Sequence, residues 1–280
     1  MNVAVNRQKI GQAFHRQAEE YDQHALVQQR IVARLDQLVA SYQTNESIDI
    51  LDIGCGTGAM LSALQARYNN SCLYGIDLAF NMARLSAKKN SGCTAIVNGD
   101  AEHLPFMDKR FDLVVSASTF QWLDSLDKTF LECRRVMKED GIMCVAFFGG
   151  KTLWELQECY RDAVIRRYGR QDARIDRLHS FKGVADVHQA LKCYSSDAIM
   201  ITVEKEVQFH ASVPELLRSI KAIGAATALS SETTGGLGWR GILNDVAETY
   251  HRKHEKDGLI PATYEVVYVV TKQVINQAQQ

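Results

Sequence analysis

The sequence predicts an α/β fold in which helices cover both faces of a doubly wound, mostly parallel sheet. Five short apolar runs carry this prediction, each four to seven residues long and without strict alternation of polar and apolar side chains. Such runs are typical of strands that are buried on both faces. The segments between the runs are long enough for the crossover helices that parallel strands require. The runs span residues 48–53, 72–76, 94–97, 111–117 and 142–148.

Helical segments precede and follow these runs. Residues 6–45 read as helical because apolar side chains recur at spacings of three and four between Val27 and Tyr42. After the fifth run, an amphipathic helix is expected over 152–167, followed by a charged stretch and a further short helix. A strand over 201–210, a helix over 213–223 and a last strand over 264–272 then complete the pattern.

The simplest organisation is one sheet domain with an insertion before its last strands. The expected segments are an N-terminal helical lid over 1–45, a Rossmann-like core over 46–148, a helical insertion over 149–198, and C-terminal strands with a helix over 199–280.

Composition excludes several classes of protein. Hydrophobic residues make up 46% of the 280 residues and charged residues 23%, which is ordinary for a globular domain. A net charge of −1 gives no general attraction to nucleic acid or to an anionic membrane, so neither is expected as a partner. The N-terminus lacks the apolar centre of a signal peptide. The seven cysteines are odd in number and have no metal-knuckle spacing, which favours reduced thiols and a cytoplasmic location.

A glycine-rich loop follows the first predicted strand. The run Gly54-Cys55-Gly56-Thr57-Gly58 lets the backbone turn sharply and lets a ligand approach the main chain closely. It lies at the carboxyl end of the strand, where open α/β sheets bind ligands. About 20 residues later, Asp77 ends the second strand and can accept hydrogen bonds from both hydroxyls of a ribose.

A dinucleotide enzyme has to be weighed here, because Gly54-x-Gly56-x-x-Ala59 also fits the relaxed dinucleotide-binding pattern. Asp52, two residues before the first glycine, instead suits a cationic amino-acid group. Asp100, after the third strand, can accept a hydrogen bond from an adenine amine. The only tyrosine followed by a lysine four residues later is Tyr268, before Lys272, and it lies in the last predicted strand, far along the chain from the glycine loop, so a hydride-transfer pair is not indicated. These features favour S-adenosylmethionine, while an NAD-dependent enzyme and a non-catalytic cofactor-binding protein stay as alternatives.

Four motifs in order resemble the class I S-adenosylmethionine-dependent methyltransferases. They are the run 52–58, Asp77, the pair Asp100-Ala101 and the strand 111–116. The resemblance covers about residues 46–148 and implies a seven-stranded sheet whose last strand is antiparallel. It also implies that S-adenosylmethionine is bound and S-adenosylhomocysteine released, with these cofactor-binding residues: Asp52, Gly54, Cys55, Gly56, Gly58, Asp77, Leu78, Asp100, Ala101 and Ser116.

The flanking segments resemble a narrower family, the malonyl-[acyl-carrier protein] O-methyltransferases of biotin synthesis. The similar stretches are 14–25 with Gln28, 118–123 and 147–156. The resemblance implies an early step of biotin synthesis, in which the free carboxylate of a malonyl thioester becomes a methyl ester. The partner would be an acyl carrier protein that bears malonyl-phosphopantetheine, or malonyl-coenzyme A. The alternative is another small-molecule methyltransferase, acting on a quinone carbon or a different carboxylic acid; a carbon acceptor would need a base such as His15, His24 or His179.

A carboxylate acceptor needs little from the protein except alignment. With a pKa near ~4 it is already ionised at neutral pH, so no general base is required and no catalytic residue is singled out. The protein has to align the reacting atoms and exclude water. We expect Tyr21, Gln121 and Trp122 to contribute to this alignment. A cationic or phenolic group should bind the acceptor carboxylate, and the candidates are Tyr21, Lys151, Arg166, Arg167 and Arg170.

The spacing His251-x-x-His254 is compatible with a metal site. Arg252 and Lys253 lie between the two histidines and no third ligand is evident nearby. An exposed helix is therefore the expected interpretation, and no metal is expected.

Overall fold

Seven strands form one mixed sheet in the computed structural model, which describes residues 7–90, 94–176, 178–194, 198–225 and 237–272. The strands are β1 (Asp49–Ile53), β2 (Cys72–Asp77), β3 (Thr94–Asn98), β4 (Phe111–Ala117), β5 (Met137–Phe148), β6 (Ala198–His210) and β7 (Ile260–Lys272).

The strand order is β3-β2-β1-β4-β5-β7-β6, so the chain winds outward in both directions from β1. β1 pairs in parallel with β2 and β4, β2 with β3, and β4 with β5. β7 lies between β5 and β6 and is antiparallel to both. The predicted doubly wound, mostly parallel seven-stranded sheet with an antiparallel last strand is therefore confirmed.

Ten helices surround the sheet in the part of the chain that the structure describes. The helices are α1 (Arg7–Gln17), α2 (Tyr21–His24), α3 (Leu26–Tyr42), α4 (Ala59–Arg67), α5 (Phe80–Lys89), α6 (Leu126–Val136), α7 (Trp154–Tyr168), α8 (Val184–Ala190), α9 (Val213–Ala222) and α10 (Leu237–His254). Among these, no helix combines the length and apolarity that crossing a lipid bilayer would need.

Side chains alternate between two cores along each central strand, as a pleated sheet requires. Ile50 and Ala146 contribute to one core, which α3, α4, α7, α9 and α10 cover. Leu51 and Val145 contribute to the other, which α6 and α8 cover. Burial on both faces thus explains the apolar runs of β1, β4 and β5, whereas β3, at the edge of the sheet, is only partly buried.

Two strands extend four or more residues beyond the predicted bounds. β5 begins at Met137, where the sequence has a polar stretch, because Met137 pairs with Phe111 across an irregularity in the β4–β5 register. β7 begins at Ile260 because it pairs along the full length of β6, from His210 to Ala198. In both cases the partner strand extends pairing into residues that are not strongly strand-like by themselves.

Candidate active site

The glycine loop leaves β1 in a backbone conformation that only glycine adopts easily. Gly54, Gly56 and Gly58 all have positive φ, at 71°, 54° and 87°. A Cβ atom on Gly54 would lie 2.0 Å from Thr119 Oγ1, whereas one on Gly56 would meet nothing within 4 Å. Gly54 therefore permits close packing against the segment that follows β4. At Gly56 the main chain borders open space, where a ligand can approach it.

Asp77 anchors this loop from the end of β2. Its carboxylate accepts hydrogen bonds from the backbone amides of Gly56, at 2.9 Å, and Ala79, at 2.8 Å. Burial raises the pKa of Asp77 to about 6, although the hydrogen bonds from Ala79 and Gly56 act in the opposite direction. The carboxylate lines the large cavity in front of the loop, where its remaining lone pairs can accept hydrogen bonds from a ligand.

Asp52 is the least satisfied polar group near the loop. Its side chain is 1% exposed, and neither carboxylate oxygen has a hydrogen-bond partner among the described residues. Burial, and next the negative charge of Asp77, raise the pKa of Asp52 to about 8. A buried carboxylate without a partner is costly in free energy. The site therefore fits a ligand that brings a cation to Asp52, as the amino group of S-adenosylmethionine would.

Asp100 lies across the cavity, after β3, and α1 reaches it from the lid. Arg7 Nη1 donates to both carboxylate oxygens of Asp100, at 2.8 and 3.0 Å. The same guanidinium forms ion pairs with Glu102 and Asp124. A second contact holds α2 at the loop, where Thr57 Oγ1 donates to Asp22 at 2.6 Å. Both contacts tie the N-terminal helices to the edge of the sheet where the loop lies.

The enclosed space has two connected regions on either side of the loop. The larger region has about 750 Å³ of open volume and lies against Asp77, Asp100, Arg7 and Phe14. The other has about 470 Å³ and lies against Asp52 and Tyr21. The predicted cofactor residues that line one or both regions are Asp52, Gly54, Cys55, Gly56, Asp77, Leu78, Asp100 and Ala101.

A third cavity of about 440 Å³ adjoins these regions and has no charged side chain in its described lining. We call it the acceptor pocket. Its apolar walls include Phe148 from β5 and Phe181 from the insertion. The polar groups in its lining are Tyr21, Gln28, Ser118, Gln121, Thr152 and Tyr264.

Tyr21 borders all three cavities. Its ring packs edge-on against Phe14 at 6.2 Å between centroids, and Phe14 packs on Trp122 at 5.9 Å. Burial, followed by the charges of Asp77 and Asp22, raises the pKa of Tyr21 above its usual range, so the hydroxyl stays protonated. A hydrogen-bond donor is thus held at the junction between the cofactor cavities and the acceptor pocket.

Ser118 lies at the same junction, and the sequence analysis did not select it. It lines both the large cavity and the acceptor pocket, and its buried hydroxyl has no partner among the described residues. Its φ of 60° is unusual for a residue with a side chain. Strained backbone of this kind is concentrated at functional sites. The similarity of the segment 118–123 to the family was the one sequence signal that pointed here.

Gln121 and Trp122 line the acceptor pocket in a short 3₁₀ turn after β4. Gln121 is 2% exposed; its Nε2 donates to Ser118 O at 2.7 Å and its Oε1 accepts from the Phe148 amide at 3.4 Å. Both ends of its amide are therefore bonded to backbone. Gln121 holds the wall in place, while Trp122 supplies an apolar surface.

Two predicted cofactor residues do not line the cavities. Ser116 is fully buried, and its hydroxyl donates to Ile53 O at 2.7 Å, which ties β4 to β1. Gly58 sits behind the loop, where a Cβ atom would lie 2.2 Å from Asn90 Nδ2. Strand alternation turns Ser116 away from the site, and Ala117 and Ser118 take the lining positions.

The role of Ser116 can be tested with Ser116→Ala. Losing its hydrogen bond should lower the free energy of unfolding by about 1 kcal/mol, because the buried Ile53 carbonyl loses a donor. Affinity for S-adenosylhomocysteine should be essentially unchanged. Thermal unfolding and calorimetric titration measure the two quantities. A large loss of affinity for S-adenosylhomocysteine without loss of stability would show that Ser116 binds the cofactor after all.

The predicted basic substrate residues are not part of the described lining of the acceptor pocket. Arg167 pairs with Asp245 of α10, with the Nη2–Oδ1 distance at 2.8 Å. Arg166 Nη2 is 3.4 Å from Thr249 Oγ1 on the same helix. Lys151 and Arg170 are exposed, and none of the four lines the acceptor pocket. The basic end of α7 faces α10 because these two helices pack together.

Three of the histidines are hydrogen-bonded to other groups of the protein. His179 Nε2 lies 3.1 Å from Gln121 O, and burial lowers the pKa of His179. His15 Nδ1 accepts from the Asn81 amide at 3.3 Å. His254 Nε2 hydrogen-bonds Glu158 and lies near buried Cys159, a grouping of metal-ligand types. Lys253 also pairs with Glu158, so ion pairing accounts for this cluster.

Comparison with known proteins supports a methyltransferase. The profile of a methyltransferase domain matches residues 51–145. A malonyl-[acyl-carrier protein] O-methyltransferase from Geobacter sulfurreducens is 42% identical over 273 residues, covering 96% of this chain and 99% of the relative. One from Methylovorus sp. is 32% identical over 276 residues, covering 94% and 88%.

Solved structures agree at the level of the fold. The YcgJ protein from Bacillus subtilis aligns with a TM-score of 0.56 at 17% identity, covering 86% of this chain and 98% of that one. A structure from Bacillus halodurans described as a methyltransferase aligns with a TM-score of 0.57 at 17% identity, covering 87% and 99%.

Proposed function

The chain belongs to the malonyl-[acyl-carrier protein] O-methyltransferase family of class I S-adenosylmethionine-dependent enzymes, and from this we propose that it methylates the free carboxylate of a malonyl thioester. The products are the methyl ester and S-adenosylhomocysteine. In the relatives' pathway this is an early step of biotin synthesis. The observation that carries the proposal is the acceptor pocket, which adjoins the cofactor cavities and presents neutral hydrogen-bond donors rather than a base.

The cofactor-binding roles are proposed as follows. Asp52 pairs with the amino group of the methionine portion, Asp77 accepts hydrogen bonds from the ribose hydroxyls, and Asp100 with Ala101 borders the adenine. Bound S-adenosylmethionine supplies an activated methyl group on a cationic sulfur. The unpartnered Asp52 carboxylate supports the first assignment, and the position of Asp77 at the loop supports the second.

The acceptor carboxylate is proposed to lie between Tyr21 and Ser118. Both hydroxyls can donate, and both residues border the cofactor cavity and the acceptor pocket. A neutral donor positions a carboxylate without withdrawing as much electron density as a guanidinium would. The arrangement thus orients the oxygen nucleophile and keeps its reactivity, while Phe14 and Trp122 exclude water.

Carbon methylation of a ring has less support. Such a reaction needs a base within reach of the acceptor carbon. The described lining of the acceptor pocket includes no histidine and no carboxylate. His179, which the sequence offered as a base, is hydrogen-bonded to the Gln121 carbonyl instead.

A direct acceptor assay tests the function. The purified chain is incubated with methyl-labelled S-adenosylmethionine and, in parallel, with malonyl-carrier protein, malonyl-coenzyme A and succinyl-carrier protein. We expect label in a base-labile ester on the malonyl thioesters and much less on the succinyl control. Labelling of another acceptor class, with none on malonyl thioesters, would contradict the proposal.

The partner and the location belong to the same proposal. We propose an acyl carrier protein as the macromolecular partner, since the relatives are named for it. A cytoplasmic location is supported by four described cysteines that are buried as free thiols, which suits a reducing compartment.

A further inference from the structure

An outer cavity of about 240 Å³ lies beside the acceptor pocket. Gln28, Ile223 and Tyr264 line both spaces, so the two adjoin. The walls of the outer cavity also include exposed His24 from the lid and partly exposed Ser219 from α9. The outer cavity therefore lies between the protein surface and the acceptor pocket, so a route from the surface would pass between α9 and the N-terminal helices.

This route fits a narrow, neutral chain with amide groups. Gln28 and Gln208 offer side-chain amides that can exchange hydrogen bonds with the amides of a pantetheine arm, whereas the Ser219 hydroxyl already donates to the Leu216 carbonyl at 2.8 Å. Val27 and Ile223 supply apolar surface for its methylene groups. A folded carrier protein is too large for the cavity and would remain outside while its arm entered.

The surface beside the opening carries unpaired positive charge. Arg218 precedes Ser219 on α9, and Lys221 follows it; both are exposed. Neither forms an ion pair with a described residue, whereas Arg30 and Arg34 on neighbouring α3 pair with Glu206 and Glu204. Cations without a local partner are available to an acidic one.

We propose that the malonyl arm enters through the outer cavity and that an acidic acyl carrier protein docks on the cationic side of α9, at Arg218 and Lys221. This docking site extends the proposed function and rests on it. It differs from the insertion, where the sequence concentrates arginines. There Arg167 pairs with Asp245 and Arg174 with Asp172, and exposed Arg161 lines neither the outer cavity nor the acceptor pocket.

Charge reversal tests the docking surface. In Arg218→Glu/Lys221→Glu, we expect the KM for malonyl-carrier protein to rise at least about tenfold at low salt, because like charges then face each other. The difference should shrink as salt is added. The KM for malonyl-pantetheine, which has the arm without the protein, should not change. The Kd for unacylated holo-carrier protein, measured by fluorescence anisotropy, should rise in parallel.

Two further double variants are compared with the α9 variant. Lys88→Glu/Lys128→Glu makes the same charge change on α5 and α6, at exposed lysines that have no ion pair among the described residues, and should leave the carrier Kd unchanged. Arg161→Glu/Arg170→Glu reverses charge on the insertion. If this pair weakens carrier binding and the α9 pair does not, the carrier docks on the insertion and the α9 site is refuted.

Blocking the outer cavity tests the entry route. Ser219→Trp should lower kcat/KM for malonyl-pantetheine at least about tenfold, because the larger side chain narrows the cavity that residue 219 lines. Ser219→Ala should be near wild type, and affinity for S-adenosylhomocysteine should be retained in both. Full activity of Ser219→Trp would refute the route. Failure of the wild-type chain to methylate any malonyl thioester would instead refute the proposed function.

Discussion

Replacing Asp52 with asparagine should weaken S-adenosylmethionine binding about a hundredfold. The buried carboxylate has no partner in the described protein, so in the proposed complex the cofactor's amino group is its counter-charge. Removing one member of a desolvated charge pair leaves the other unpaired, at a cost of about 2–5 kcal/mol. Isothermal titration calorimetry with S-adenosylhomocysteine measures the change, and Asp127→Asn on the exposed side of α6 is a matched control. Unchanged affinity for S-adenosylhomocysteine in Asp52→Asn would show that Asp52 does not bind the cofactor.

The same variant should stabilise the ligand-free protein at alkaline pH. Burial raises the pKa of Asp52 to about 8, so the folded protein holds a proton there that the unfolded chain has already released near pH 4. The contribution of protonated Asp52 to the free energy of unfolding is complete below the pKa that Asp52 has in the unfolded chain. It is lost as pH rises toward 8. Asparagine does not titrate, so the Tm of Asp52→Asn minus that of the wild type should increase between pH 5 and pH 8. A constant difference would show that Asp52 titrates normally.

Tyr21→Phe should lower kcat/KM for the malonyl thioester by about tenfold to a hundredfold. A hydrogen bond to a charged acceptor contributes about 1.5–3 kcal/mol, and phenylalanine keeps the packing on Phe14 while losing the donor. Affinity for S-adenosylhomocysteine should change little, since Asp52 and Asp77 are intact. Steady-state kinetics and calorimetry separate these two outcomes.

Ser118→Ala serves as the matched test of the second donor. If Tyr21 and Ser118 bind one carboxylate, the double variant should lose less than the product of the two single losses, because groups that share a partner are not additive. A loss in cofactor affinity with unchanged kcat would assign Tyr21 to the cofactor instead.

The sequence was most informative where chemistry coincides with strand ends. Asp52 and Asp77 lie at the carboxyl ends of β1 and β2, and Asp100 lies just after β3. Parallel pairing brings such positions to one edge of the sheet. The five apolar runs located β1 to β5, because strands in the interior of such a sheet have few polar residues.

Positions that depend on distant packing were less predictable. Arg166 and Arg167 face α10, a helix that begins about 70 residues later in the chain, and no local pattern encodes that contact. Residues 116 and 118 are both serine, so residue type alone does not distinguish them. Only the bend at Ser118, with its positive φ, decides that the second hydroxyl lines the site while the first bonds to Ile53.

The lid provides a wall for more than one ligand. Tyr21 borders both cofactor regions and the acceptor pocket, and Gln28 borders the acceptor pocket, the outer cavity and the Asp52 region. A ligand that restrains this shared wall alters the other ligand's binding free energy, and thermodynamic linkage makes the effect reciprocal. We therefore expect cofactor and thioester affinities to be coupled through the adjacent helices α2 and α3, and S-adenosylhomocysteine left in the site to act on acceptor binding as well as on cofactor exchange.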